Sequence, residues 1–146
     1  MNDQDTPANQ FKIEPIAKSE VDEVLKIDSG IFKDISTLPD LESIENGFTC
    51  KDIKTSEIVG YILYDSGTDE IYIDSLGVKH KYRSNGLASM LLKHLLSKYS
   101  VNFKLRVEKN DFHDKLVKYY EKFGFRVIAY FGSPNMSTVM KLTRKK

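Results

Sequence analysis

The sequence predicts a single domain of the mixed α/β (α+β) class. Three observations lead there. A chain of 146 residues with 40% hydrophobic content suits one core. Three strand-like segments follow one another, the last two across a turn. After them helical spacing and strand alternation trade places, and the chain closes on a strand pair.

The elements follow in order. "FKIEPIA" reads as a strand, and "SEVDEVLKIDSG" as a helix capped by Ser19, with Asp22 in its first turn and Gly30 as its stop. A second short helix is expected after Pro39, ending near Gly47. "FTCKDI", "EIVGYILYDS" and "EIYIDSLGV" read as strands, the last two joined by "SGTD", which is hairpin-turn chemistry. Leu87, Met90, Leu91, His94 and Leu95 recur at helical spacing, whereas "VNFKLRVE" alternates Val101, Phe103, Leu105 and Val107 with polar neighbours. A last helix carries Leu116, Val117, Tyr120 and Phe123 and stops at Gly124, before the strands "FRVIAYF" and "STVMKL". The expected order is β α α β β β α β α β β. Residues 1–10 read as a flexible start and 11–143 as the folded domain.

Composition narrows the function. Twenty-two basic against twenty-one acidic residues leave a net charge of +1, so no global field draws nucleic acid or an anionic membrane. Cys50, the only cysteine, has no internal disulfide partner, and "MNDQDTPANQ" lacks the regions of a signal peptide. A cytoplasmic location is the expectation. No apolar run approaches the ~20 residues of a membrane span, and no internal repeat is visible.

The join at "VKHKYRSNGLA" is where binding chemistry concentrates. A strand ends at Val78, and the chain turns through Arg83, Ser84, Asn85 and Gly86 into a helix whose first N–H groups lack carbonyl partners. Those amides, the positive end of the helix dipole, and Lys79, Lys81 and Arg83 suit a phosphate, and Gly86 allows close approach. The plain packing alternative is that Ser84 or Asn85 caps a core helix. The spacing fits neither G-x-G-x-x-G nor G-x-x-x-x-G-K, so the ligand is not one that those loops bind. "YYEKFGFRV" is the second constellation: Tyr120 and Phe123 share a helix face, which by itself reads as an aromatic core stripe with a glycine cap.

Together the two motifs resemble the GNAT superfamily of acetyl-CoA-dependent N-acetyltransferases. Its [Q/R]-x-x-G-x-[G/A] signature is matched by Arg83, Gly86 and Ala88, and its L-Y-x-x-x-G-F by Tyr119, Tyr120, Gly124 and Phe125. The motifs stand in the right order with an alternating strand between them, and the succession of elements runs from Phe11 to Leu142. The resemblance implies a mixed, mostly antiparallel central sheet flanked by helices, with strands 4 and 5 splayed. It implies acetyl-CoA as cosubstrate and no metal, with backbone at Leu76, Gly77 and Val78 meeting the pantetheine amides. Arg83, Ser84, Asn85, Gly86, Leu87 and Ala88 would then cradle the phosphates. His80 stands where the family often has proline, which changes the turn's rigidity but not its amides. The asparagine that contacts the cofactor arm corresponds to Asn110 by local motif, or is replaced by His113 on counting back from Tyr120. His94, on an apolar helix face, and His113 read as structural, and no cluster shows metal-ligand spacing.

The reaction sets the remaining roles. A neutral amine attacks a thioester through an oxyanion and a thiolate leaves, so the site needs a proton acceptor, an oxyanion donor and an acid. The family uses the tyrosine matching Tyr120 as the acid, and a phenol near ~10 can serve a thiolate near ~8.5 at hydrogen-bond distance. A backbone N–H near Leu76 to Val78 suits the oxyanion. Tyr72 and Asp74, two apart on one strand face, are the candidate bases. Some peptide acetyltransferases have a polar residue at the Tyr72 position that orders a proton-accepting water. The plain alternative is a packed tyrosine and a solvated aspartate. Deprotonating a lysine-like amine near pH 7.4 costs about 4 kcal/mol, an α-amine about 1 kcal/mol, which favours a peptide or amino-acid α-amine if the base is weak. The expected acceptor is a primary amine of a peptide, protein or small molecule, with the chain a monomer or homodimer and no membrane or nucleic-acid partner. Two other readings stay open: a non-catalytic module binding acetyl-CoA or a peptide, and a toxin-like enzyme acting on aminoacyl-tRNA.

Overall fold

The computed structural model describes residues 10–31, 46–67, 69–83, 85–108, 112–131 and 137–144. The helix expected after Pro39, and the candidates Ser84 and Asn110, lie outside the described residues. The strands are β1 (Phe11–Pro15), β2 (Gly47–Asp52), β3 (Ile58–Ser66), β4 (Glu70–Val78), β5 (Asn102–Glu108), β6 (Arg126–Phe131) and β7 (Ser137–Leu142). The helices are α1 (Val21–Ile31), α2 (Leu87–Lys98) and α3 (His113–Glu121), with 3-10 turns at Lys18–Glu20 and His80–Tyr82. The strands form a seven-stranded sheet ordered β1-β2-β3-β4-β5-β7-β6. The β1–β2, β2–β3, β5–β7 and β6–β7 ladders are antiparallel and β4–β5 is parallel. This is the mixed, mostly antiparallel sheet that the sequence predicts. The parallel ladder runs from Glu70↔Asn102 to Ile73↔Leu105, and Asp74–Val78 of β4 lie outside it. Two compact units divide the chain, and β4 contributes to both.

The first unit comprises Met1–Asp65 and Ser75–Tyr99. Its β3 is buried from Ile58 to Tyr64, so it reads as a continuous apolar run rather than an alternation. Helix α2 buries Leu87, Leu91, Leu92, Leu95 and Leu96, the i, i+4 and i+5 positions that make one face. Gly60 lets these layers approach: a Cβ there would lie 3.1 Å from the Gly77 carbonyl and 3.3 Å from Leu91. The start of α1 differs from the expected Ser19 cap. The chain turns earlier, at Ala17, because the Glu20 carboxylate accepts from the Ala17 N–H at 2.9 Å and the Glu20 N–H bonds the Ala17 carbonyl at 2.8 Å. That reciprocal pair leaves Ser19 inside a 3-10 turn, and α1 runs through Gly30 to Ile31. Lys51 of β2 fastens the corner by ion pairs to Glu14 and Glu20.

The second unit comprises Ser66–Asp74 and Ser100–Lys146. In β5, Phe103, Leu105 and Val107 are buried and Arg106 and Glu108 exposed, which is the alternation expected of a strand with one solvated face. Helix α3 ends at Glu121, short of the expected stop, and Phe123 lies in the turn that follows; Gly124 closes that turn with a φ of 99° that few side-chain-bearing residues adopt. The following Phe125 is fully buried and returns its N–H to the Tyr120 carbonyl at 3.3 Å. Among the described residues no helix is long and apolar enough to cross a membrane.

Candidate functional site

The turn between β4 and α2 lies within the first unit. Gly77 and Val78 are buried at the end of β4, and the Lys79 N–H bonds the Val59 carbonyl at 2.8 Å, so the turn starts from a fixed point on β3. The 3-10 turn His80–Tyr82 follows, closed by Tyr82 N–H to Lys79 O at 2.9 Å and Arg83 N–H to His80 O at 3.2 Å. Arg83 Nε donates to the Val78 carbonyl at 3.1 Å, clipping the turn to the strand it left. Asn85 Nδ2 donates to the Tyr82 carbonyl at 3.1 Å, so its side chain looks back and does not cap α2. The N-cap is Gly86, with φ 77° and ψ 15°. Asn85 is therefore not the cap: the left-handed backbone at Gly86 makes the bend, and its carbonyl accepts the first helical bond from Met90 at 3.0 Å.

This end of α2 suits an anion. A Cβ built on Gly86 meets nothing within 4 Å, so the glycine faces open space. No acidic residue occupies the first turn of the twelve-residue helix, and the amides before Met90 precede its hydrogen-bond ladder. Leu87 is buried and anchors the helix, while Asn85 and Gly86 are exposed and Ala88 half-buried. Gly86 itself thus places no side chain in front of the helix end, where unpaired amides favour an anion. Glu57, which the sequence reading passed over, holds the turn from outside: its carboxylate accepts from Lys79 Nζ at 3.0 Å and from Tyr82 Oη at 2.8 Å. No motif marks Glu57; the sequence shows it only as the first residue of the expected strand "EIVGYILYDS".

The second unit contains Tyr120, Tyr72 and Asp74. Tyr120, half-buried on α3, packs edge-on against Tyr119 at 5.3 Å and Phe125 at 5.8 Å between centroids. Its hydroxyl makes no hydrogen bond to another described residue. Burial first, then neighbouring Tyr119, pushes this phenol well above the ordinary tyrosine value. It is a proton-bearing donor throughout neutral pH. Tyr72 is half-buried on β4 opposite Lys104 of β5, and Asp74 is exposed two residues on. Burial raises the Tyr72 phenol; Arg106 opposes this, and Asp74 and Glu108 add to it. Tyr72 thus also keeps its proton near neutral pH.

His113 and His94 are occupied elsewhere. His113 is buried at the start of α3, with Nε2 and Thr138 Oγ1 2.7 Å apart and Nδ1 and Asp114 Oδ1 2.9 Å apart. His94 packs edge-on to Phe48 at 4.6 Å, and burial, then Lys98, lowers its pKa. Both fit the structural reading. Among the described residues no three His, Cys, Asp or Glu side chains gather as a metal site.

The comparisons with known proteins agree with one another. Residues 19–125 match the family model described as acetyltransferase (GNAT) family. No curated protein matches by sequence. Among solved structures, Ard1 from Thermoplasma volcanium superposes with a TM-score of 0.74 at 18% identity, covering 94% of this chain and 99% of that one. Naa50 of Arabidopsis thaliana, solved with the bisubstrate analogue CoA-Ac-MVNAL, gives 0.74 at 19% identity over 92% and 99%. The ribosomal-protein-S18-alanine N-acetyltransferase of Escherichia coli gives 0.73 at 15% over 93% and 95%. At these identities the structures establish a shared fold.

Proposed function

The chain belongs to the acetyltransferase (GNAT) family, and from that premise we propose that residues 11–143 transfer the acetyl group of acetyl-CoA directly to a primary amine. The observation that carries the reading is the N-terminus of α2: a left-handed glycine facing open space, ahead of a helix with no acid in its first turn. Bound there, acetyl-CoA supplies an acyl carbonyl already activated as a thioester.

The roles follow from the residues. The amides that follow Arg83 as far as Ala88, together with the Arg83 side chain, bind phosphate oxygens, and the strand end at Leu76 to Val78 orients the pantetheine arm by backbone groups. A backbone N–H there stabilises charge developing on the carbonyl oxygen. Asn110, beyond the described residues, stays the candidate for the second contact to the arm, because both ring nitrogens of His113 face internal partners. Tyr120 donates its hydroxyl hydrogen to the departing sulfur. A phenol raised by burial gives up its proton less readily than one near ~10, but a sulfur anion in the same dry place is raised for the same reason, so the match persists. Asp74, or water ordered by Tyr72, accepts the amine proton.

The acceptor that suits this site is the α-amine of a peptide or protein. Tyr72 holds its proton and Asp74 is exposed, so the available base is weak, and a weak base serves an amine that is already partly neutral. Naa50 takes an analogue joining CoA to the peptide MVNAL, and the Escherichia coli neighbour acts on an alanine of ribosomal protein S18, both in keeping with this class. Calorimetry with acetyl-CoA, then thiol release across peptides, polyamines and small amines with mass spectrometry of the product, tests the proposal. Peptide α-amines should lead the panel. Binding without thiol release on any amine would make the chain a binding module, and no binding would end the proposal.

A further inference from the structure

Three cations, Lys79, Lys81 and Arg83, crowd the turn that leads into α2, yet one carboxylate is set against them. Glu57 precedes β3 and reaches both ends of the 3-10 turn: Oε2 meets Lys79 Nζ at 3.0 Å at its entry, and Oε1 accepts from Tyr82 Oη at 2.8 Å at its exit. The turn is tied to the same stretch of chain by the Lys79 N–H to the Val59 carbonyl. Tyr82 passes the restraint onward. Its ring stands edge-on to Phe11 at 6.1 Å, and its carbonyl accepts Asn85 Nδ2 one residue before Gly86. A continuous path of bonds thus runs from Glu57 through Tyr82 and Asn85 to the N-cap of α2.

Electrostatics alone argues against an acid here. Beside a site for phosphate, a carboxylate repels the ligand and neutralises one of the three cations. Geometry argues for it, since amides bind an anion well only when they converge on it. We propose that Glu57 is a positioning residue for acetyl-CoA, holding the Lys79–Tyr82 turn so that the first amides of α2 converge on the phosphates. The inference rests on the acetyl-CoA reading above. Of the three cations, Lys79 serves the frame and Arg83 is clipped to it through Nε, which leaves Lys81 and the rest of the Arg83 guanidinium for the ligand.

The two forces predict opposite signs for one substitution. If orientation dominates, Glu57→Ala weakens acetyl-CoA binding by about tenfold in calorimetry, although the variant is more positive by one charge. If charge dominates, the same variant binds more tightly. Glu57→Gln, whose amide oxygen still accepts from Tyr82 Oη, should recover part of the loss, and Tyr82→Phe should show part of it. The double variant Glu57→Ala with Tyr82→Phe should bind no worse than Glu57→Ala alone, because both cut the same path. In turnover the KM for acetyl-CoA should rise, with kcat at saturation and the KM for the acceptor within a few fold of wild type. A purely structural role would lower Tm and leave that split absent. Equal or tighter binding by Glu57→Ala overturns the inference and leaves the acetyl-CoA reading intact. Should Glu57→Ala not fold, unchanged affinity in both Glu57→Gln and Tyr82→Phe overturns it equally. A wild-type chain that binds no acetyl-CoA removes the underlying reading and this inference with it.

Discussion

The turn into α2 and the aromatic end of α3 represent two ways of making a site. The turn is built from backbone: a left-handed glycine, a 3-10 turn and a helix end, with side chains such as Arg83 and Asn85 bonded back to carbonyls to keep its shape. The α3 region is built from side chains, where the ring of Tyr120 packs edge-on against those of Tyr119 and Phe125. A backbone site tolerates most substitutions that keep its conformation. A side-chain site is lost with one atom. The two regions should therefore fail differently under mutation, the first in affinity and the second in rate.

The largest effect is expected at Gly86. Asp and Asn have similar size, and both adopt φ near 77° at a cost of about 1 kcal/mol, so comparing them isolates charge. A carboxylate about 5 Å from a phosphate at an effective dielectric of ~20 costs about 3 kcal/mol, over a hundredfold. Gly86→Asp should abolish acetyl-CoA binding in calorimetry, with Gly86→Asn within roughly tenfold of wild type. Equal affinity in the two variants would mean that no anion sits there, and the contrast between the regions would collapse.

Tyr120→Phe comes next. Removing a hydroxyl from a merely packed ring changes stability by about 1 kcal/mol, whereas losing a general acid lowers rate by about 10²-fold or more. We expect about a hundredfold fall in kcat, with acetyl-CoA affinity and Tm nearly unchanged. The loss should shrink with a thioester whose thiol is more acidic, since such a thiolate leaves without a proton. Because burial raises this phenol, the wild-type rate should show no decline through the pH range where an ordinary tyrosine, near ~10, begins to ionise. A variant within a few fold of wild type would move the acid role to Tyr119 or to water.

How far the sequence could be read divides along the same line. The turn was legible because a backbone site needs glycine at one place and a helix after it, and "RSNGLA" shows both. All seven strands were legible from alternation or apolar runs, including β3, whose "IVGYIL" has the continuous burial of a central strand. Ser19 misled because capping preference is local, while the start of α1 is decided by Glu20, whose carboxylate bonds Ala17 and also pairs with Lys51 from a distant strand. Of the two caps that the plain packing alternative offered for α2, Asn85 is not one, because its side-chain amide donates to the Tyr82 carbonyl. Glu57 and the rise in the Tyr72 and Tyr120 pKa values were not legible, since they come from contacts more than twenty residues apart or from burial.

A smaller effect should separate the two base candidates. Asp74 is exposed, so its field is screened and its contribution as proton acceptor limited. Asp74→Asn should lower kcat/KM by about tenfold near pH 7 and recover as pH rises, because the neutral amine fraction then grows by itself. Tyr72→Phe should show the same recovery if water ordered by Tyr72 is the acceptor. Profiles unchanged in both would mean that the amine arrives neutral.

The smallest effect tests the frame of the first unit and not its site. Lys51 reaches Glu14 and Glu20, and its pKa is raised, first by the hydrogen bond to Glu14 and then by that to Glu20. The Glu14 pKa is lowered, mainly by Lys51. The signs follow from linkage. A lowered carboxyl stabilises the fold above its unfolded value near ~4.5 and loses that contribution as pH falls through the folded value; a raised lysine contributes below ~10.5 and is lost above. Stability attributable to this corner should be flat between those limits and decline on both sides. Lys51→Met should lower Tm by a few degrees at pH 7, about 1 kcal/mol for a partly exposed cluster, and the gap from wild type should close as pH drops below 4. Affinity for acetyl-CoA should stay within twofold, since the Lys51 ion pairs run to Glu14 and Glu20, at β1 and the start of α1, and not to the described residues of the turn into α2. A gap that persists at low pH would mean that the aliphatic stem of Lys51 and not its ion pairs holds the corner.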